Sequence, residues 1–484
     1  MNNYTILINI INSIFVLNII FAILVIIFER RNANNTWTWL MIMLFIPIIG
    51  FILYLFFGQD LRHKKFFILK KEEEAVLMKF SEEQKKLIND SIIVSQNPIL
   101  SEFQDVINLN LSSDNFVVTN NNTVNILNNG IEKFPLLIDC IKDAKKFIHI
   151  QYYIFEDDNL GREILSLLVE KAKEGIEVKL LYDGMGCLHN KKSFFDPLKM
   201  AGGEVCCFFP PFIPYINIRI NYRNHRKICV IDGEHGFVGG LNIGDEYLGL
   251  SKKFKFWRDI HLHLQGDSVN YLELRFLMDW RFASNKDFLI TDEYFPKKKY
   301  ISNVPVQIIS SGPDSDWCSI RNTYLKLINK AKHSIYIETP YFIPDESIQT
   351  ALKIACLSGI EVKIIIPSRP DHPFIYWASK SYIWELVECG AHCYTYDNGF
   401  IHSKLVSIDG KICTIGTANM DIRSFNLNFE VNAIIYDESI THKVDQYFME
   451  DILASTLLTK EEYNKRTFVV KFKESIFRLL SPIL

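Results

Sequence analysis

Hydrophobic and polar positions follow three regimes along this chain. The first is nearly unbroken. Ile6–Phe28 carries no charge, and only Asn and Ser interrupt an apolar run of about 23 residues, long enough for a helix to cross a bilayer. After "ERRNANNT" comes a second apolar run, Trp37–Phe57, which opens with Trp37 and Trp39, residues favoured at a membrane interface. A cleaved signal peptide fits the first run poorly, because it lacks a basic n-region and a small-x-small cleavage site. Residues 1–60 therefore read as a two-helix transmembrane hairpin. Arg62, Lys64, Lys65, Lys70 and Lys71 follow the second run, whereas the loop holds Arg30 and Arg31. The positive-inside rule then places the rest of the chain in the cytoplasm, making this a multi-pass protein of the cell membrane.

In the second regime, residues 61–100, Lys and Glu surround spaced apolar positions, which predicts a helical connector near the membrane surface. The third regime is α/β and occurs twice. "AKKFIHIQYYIF" (144–155) matches "AKHSIYIETPYF" (331–342), each a helix end followed by a buried strand with alternating Ile. "GIEVKLLYDG" (175–184) and "GIEVKIIIPS" (359–368) follow, each a strand after a helical stretch. The order predicts two homologous α/β domains, 101–295 and 302–484, joined by "YFPKKKYISN" (294–303).

A motif also recurs at matching places. "NHRKICVIDG" carries His225, Lys227 and Asp232, then Gly239, Gly240 and Asn242; "IHSKLVSIDG" carries His402, Lys404 and Asp409, then Gly416, Thr417 and Asn419, at identical offsets. Alternation along a strand puts the His and Lys of each copy on one face, about 7 Å apart. That set suits phosphodiester chemistry. One neutral His attacks phosphorus, a protonated His supplies the leaving oxygen's proton, and two lysines and two asparagines hold the phosphoryl oxygens without a metal. Each His also needs a carboxylate to fix its tautomer. Asp232 and Asp409 are candidates for the site, although their fixed spacing from His also suits a role in the fold.

This paired pattern resembles the phospholipase D superfamily, whose signature is HxKxxxxDxxxxxxGGxN in two copies. The apolar hairpin, "NYRNHRK", "FWRDIHLHLQG", "PDHPFIYWAS" and "RSFNLNFEVN" narrow the resemblance to bacterial cardiolipin synthases. It implies two phospholipase D-like α/β sandwich domains about a pseudo-twofold axis, with both motifs at one site. It implies His225 as nucleophile, His402 as acid, and Glu430 with its counterpart Asp259 as supports for the imidazoles. The implied reaction condenses two phosphatidylglycerol molecules to cardiolipin and glycerol through a phosphohistidine. A phospholipase D-type hydrolase or headgroup-exchange enzyme is the alternative, depending on whether water or an alcohol resolves the intermediate.

The remaining features refine this picture. A net charge of -3 shows no basic excess for a nucleic-acid partner. The partners expected are phosphatidylglycerol and the bilayer, with no cofactor or metal; no oligomeric state is written in the sequence. Ten cysteines without repeated spacing read as reduced thiols. "CFFPPFIPYINI" (207–218) is an apolar loop that reads equally as a bilayer-dipping element or a buried core loop. Arg219, Arg223 and Arg226 beside it suit anionic headgroups. Asp371 and His372 lie on a loop after a strand end, where a headgroup would bind. "CGAHC" (389–393) lacks further ligands and reads as packing, as do His261 and His263. "FKESIFRLLSPIL" has an apolar helical face that either lies on the membrane or packs on its domain.

Overall fold

The computed structural model describes residues 3–28, 33–57, 82–86, 97–191, 193–210, 222–251, 253–286, 290–296, 302–315, 317–369, 371–479 and 481. The first apolar run is helical, Asn3–Phe28. The second, expected as one continuous span, is two helices, Ala33–Phe45 and Ile49–Phe57. The break lies at Pro47, which has no N–H to donate, and Ile48 adopts φ 66° beside it. The three helices pack through Val25, Trp39, Met43 and Tyr54, and Phe21 stacks on Phe51 at 3.9 Å. Among the described residues, no helix is long and apolar enough to cross a membrane. Most of the connector expected at 61–100 lies outside the described residues. From its described part, the Gln84 amide both donates to Val118 O and accepts from Val118 N, at 2.7 and 2.8 Å.

The duplication is visible strand by strand. In the first half the order across the sheet is Asn122–Asn128, Ile260–Gly266, His235–Gly239, Ile228–Ile231, Phe147–Tyr152, Glu177–Asp183 and Glu204–Phe208. In the second the seven corresponding strands are Val306–Ser311, Asn428–Ile435, Ile412–Gly416, Leu405–Ile408, Ser334–Glu338, Glu361–Pro367 and His392–Tyr396, with Val118–Thr119 and Ser455–Leu457 added antiparallel at the two edges. These seven strands pair antiparallel through the first five and parallel through the last three in both halves. The first parallel pair of each sheet is linked by an amphipathic helix that starts at a carboxylate cap. Asp158 accepts from Gly161 N ahead of Asn159–Lys173, and Asp345 accepts from Ile348 N ahead of Glu346–Leu357.

One face of each sheet contributes to a shared core, in which Val238 and Leu262 cluster with Ile415 and Val431. The opposite faces pack under the connecting helices. Residues 98–119 depart from the expected division. Leu100, Phe103, Val106 and Leu111 are buried with Tyr324 and Leu327 of the second half, and Val118–Thr119 pairs with Val306–Ser311. All ten cysteines are free thiols.

Candidate active site

Each motif strand runs up to its histidine and there leaves its own sheet. Arg223–Asn224 pairs in parallel with Asn428–Phe429 of the other half, and His225 N donates to Phe429 O at 3.0 Å. The mirror arrangement pairs Phe400–Ile401 with Trp257–Arg258, and His402 N donates to Arg258 O at 2.7 Å. The residue after each of these paired segments of the other half is a carboxylate, Glu430 or Asp259. Exchange therefore sets each histidine beside the acid of the opposite half. His225 Nδ1 lies 3.0 and 3.1 Å from the Glu430 carboxylate, and His402 Nδ1 lies 2.8 Å from Asp259 Oδ2. Both imidazoles line one cavity of about 460 Å³. With Nδ1 engaged, Nε2 is the ring nitrogen each has left for the cavity.

The surroundings hold these groups tightly. Glu430 also accepts from Thr417 Oγ1 at 2.6 Å and Asn428 Nδ2 at 3.2 Å. Asp259 Oδ1 accepts from Ile260 N at 2.8 Å. Lys227 Nζ donates to His225 O at 2.7 Å; Lys404 Nζ donates to His402 O and lies 2.8 Å from His402 Nδ1. Tyr153 meets His225 edge-on with centroids 5.0 Å apart, and Trp257 lies 5.1 Å from His402. Glycines at 240 and 416 leave room for this closeness: a Cβ on Gly240 would lie 2.1 Å from Asp259 Oδ1, and one on Gly416 would lie 2.4 Å from Val431 O.

Burial sets the electrostatics. It pushes His225 down to about 4 against the pull of Glu430, and drives His402 well below its ordinary value with help from Lys404 and Lys227. Burial likewise lowers Lys227 far below its usual range and Lys404 to about 8. Burial raises Asp259 to about 6 against Lys404. At Glu430 burial works upward too, yet His225 and then Lys227 leave it below the ordinary carboxylate value. Burial thus disfavours the charged form of both imidazoles, which sit beside two lysines and two acids.

Comparison with known proteins agrees with this geometry. A family profile described as cardiolipin synthase, PLD-like domain, matches residues 137–253 and 324–452, and one described as phospholipase D-nuclease N-terminal matches 16–59. The major cardiolipin synthase ClsA of Bacillus subtilis is 48% identical over 97% of this chain and 98% of its own. The cardiolipin synthase of Listeria monocytogenes serotype 4a is 47% identical over 97% and 98%. The chain belongs to the cardiolipin synthases of the phospholipase D superfamily. In fold it is similar to phosphatidylserine synthase from Haemophilus influenzae, with TM-score 0.60 at 18% identity over 80% of this chain and 100% of that one.

Within this cardiolipin synthase fold, two expected site residues lie elsewhere. Asp232 and Asp409 stand at the far end of their motif strands, each with φ 55°. The following Gly233 and Gly410 have φ 67°, and Glu234 N and Lys411 N close the turns onto Ile231 O and Ile408 O. Each aspartate accepts three backbone N–H groups at 2.8–2.9 Å, from Lys145, Lys146 and Phe147 or from Lys332, His333 and Ser334. The motif Asp-Gly is thus a turn that pins the neighbouring strand, a position that Asp tolerates and Gly favours. It is no part of the cavity.

Asn242 and Asn419 do line the cavity. Asn242 is held by the fold, its Nδ2 on Tyr247 OH at 3.1 Å and its Oδ1 accepting from Ile154 N at 3.2 Å. Asn419 Oδ1 is buried without a hydrogen-bond partner among the described residues. Arg223, Asp371 and His372 line the same cavity, and Tyr341 OH donates to the Asp371 carboxylate. Arg219 and most of the 207–218 loop lie outside the described residues. Arg226 is turned away from the cavity and buried, with Nη1 2.7 and 2.8 Å from Asp279 and Nε donating to Glu430 O at 3.1 Å. It ties the two halves together beneath the histidines.

The sequence reading missed Arg423, Glu246 and Tyr341 in the cavity wall. "RSFNLNFEVN" contained the signal for Arg423, seven residues before Glu430. Lys133 was missed too. It is fully buried, donates to Leu241 O at 3.1 Å, and is lowered to about 7 by burial. His263 pairs with His235 at 2.9 Å, with Cys140 near them, and none of the three lines the cavity.

Proposed function

We propose that this enzyme joins two phosphatidylglycerol molecules into cardiolipin, releasing glycerol. The observation that carries the reading is the crossed pair of His–carboxylate couples facing one cavity with a lysine beside each. In this reaction His225 Nε2 attacks phosphorus, and the P–O bond to the headgroup glycerol breaks as His402 gives that oxygen its proton. A hydroxyl of the second phosphatidylglycerol then returns a proton to His402 and attacks the phosphohistidine, forming the new P–O bond and freeing His225. One phosphodiester replaces another, so no nucleotide is consumed. Glu430, lower in pKa than Asp259, suits the partner of the nucleophile, because an ionised acceptor keeps the proton on Nδ1 and stabilises the charged phosphohistidine. Asp259, raised to about 6 and shared with Lys404, suits the acid whose proton comes and goes. Lys227, Lys404 and Asn419 are the groups assigned to the phosphoryl oxygens, and Arg223, Asp371 and His372 to the headgroups.

In this reading the apolar helices of residues 3–57 form the membrane hairpin, and the catalytic part, divided near residue 300, faces the cytoplasm. The match of 16–59 to the N-terminal family profile and the basic residues after the second run support this. Purified protein given pure phosphatidylglycerol should yield cardiolipin and glycerol in equal amounts. Phosphatidic acid with glycerol and no cardiolipin would overturn the synthase in favour of the hydrolase.

A further inference from the structure

The helix Phe468–Leu479 is mounted inside out. At 100° per residue, Phe468, Val469, Phe472, Ile476 and Leu479 fall within an arc of about 100°. That arc faces outward: Phe468 is 81% exposed and Leu479 70%. The residue turned inward is Glu474, 4% exposed, which accepts from Trp384 Nε1 at 3.1 Å and pairs with Arg466. Arg478 pairs with Glu385, and the Phe477 ring meets Phe374 at 5.0 Å. A surface helix ordinarily buries its apolar stripe and exposes its charges. This one is fastened to its domain by ion pairs and by ring contacts on its opposite side, and leaves its apolar stripe uncovered.

Its position says what covers it. Ser481, just beyond the helix, lines the catalytic cavity, as does His372, which precedes the helix carrying the exposed Phe374. The apolar stripe therefore runs up to the mouth of the site. Lys471 stands exposed on its flank, as in helices that lie in the plane of an anionic lipid surface. We infer that Phe468–Leu479 is an interfacial anchor, with its apolar stripe sunk into the bilayer so that the cavity opens directly onto the lipid headgroups. A diacyl substrate would then reach the histidines without drawing its chains through water. The inference rests on the proposed lipid reaction for its purpose, but its test does not depend on turnover.

The full-length protein, carrying the substitution Phe472→p-benzoylphenylalanine, is placed in vesicles of phosphatidylethanolamine and phosphatidylglycerol and irradiated. Mass mapping should find residue 472 joined to lipid. Attachment to another protein segment, or none to lipid, would overturn the inference. In parallel, Phe472→Asp with Leu479→Asp should lower cardiolipin formation on vesicles at least about tenfold, yet leave turnover of a monomeric short-chain phosphatidylglycerol within about twofold. Equal loss on both substrates, or none on vesicles, would also overturn it. Wild-type protein that makes no cardiolipin from either substrate would refute the reaction and leave the crosslink to decide the surface.

Discussion

Replacing Glu430 by Gln tests the exchange between halves at its most exposed point. The change keeps size and shape but removes the charge. Thr417 and Asn428, which also hydrogen-bond this carboxylate, come from its own half, so among the described residues His225 is its one hydrogen-bond partner from the other half. A hydrogen bond to a charged partner contributes about 1.5–3 kcal/mol more than none. A glutamine amide also offers an N–H to Nδ1, which would move the ring proton onto Nε2, the atom that must attack. In a catalytic triad the equivalent acid-to-amide change lowers kcat about 10⁴-fold through the wrong tautomer. We therefore expect Glu430→Gln to slow cardiolipin formation about 10²–10⁴-fold, roughly 3–5 kcal/mol of barrier. Initial rates in mixed micelles measure this, with the melting transition as the control for folding. Stability cycles locate the partner independently of activity. His225 should couple to Glu430 by about 1–3 kcal/mol, and His402 to Asp259 likewise, each more strongly than the same-half combinations. A folded Glu430→Gln enzyme with more than about a tenth of normal activity, or stronger same-half coupling, would refute the reasoning.

Other consequences follow from the same geometry. Asp232→Asn and Asp409→Asn should each lower stability by about 1–3 kcal/mol in urea unfolding, because three N–H groups lose a charged acceptor, while kcat of the folded enzyme changes less than about threefold. A large rate loss at unchanged stability would return them to the site. Because burial holds both imidazoles below their ordinary values, an entering phosphodiester should raise one of them and take up about one proton at pH 7. Affinity for a short-chain phosphodiester should then fall as pH rises from about 6 to 8, and calorimetry in buffers of different ionisation enthalpy counts the proton; no uptake would contradict the electrostatics. Activity should survive exhaustive chelation in mixed micelles, since two lysines supply the positive charge; a complete loss restored by metal would contradict that assignment.

Much of the fold was legible because its signals are local. Alternating Ile in 147–152 and 334–338, the two "GIEVK" strands and the equal offsets after each histidine give the repeated order of elements along the two halves, but not the order of strands across each sheet. The crossing was not legible. It depends on two-residue strands, Arg223–Asn224 and Phe400–Ile401, that leave their own sheets, and no periodicity marks a pairing partner 205 or 143 residues away. The motif aspartates misled for a related reason: constant spacing reports a turn as faithfully as it reports chemistry. Residues 98–100 were assigned to the connector and 101–119 to the first half, because their apolar face does not name the core it enters. Pro47 was the visible sign that the second apolar run would not be one helix.

The most direct test of the central claim is where the covalent bond forms. Enzyme with His402→Ala, given a phosphatidyl substrate whose leaving group departs without a proton donor, is quenched and its peptides are mapped. Phosphatidyl attached to His225 is the expected result. Attachment to His402 in the reciprocal His225→Ala enzyme, with none on His225, would reverse the roles, and inversion at phosphorus in a single transfer would contradict the covalent path itself.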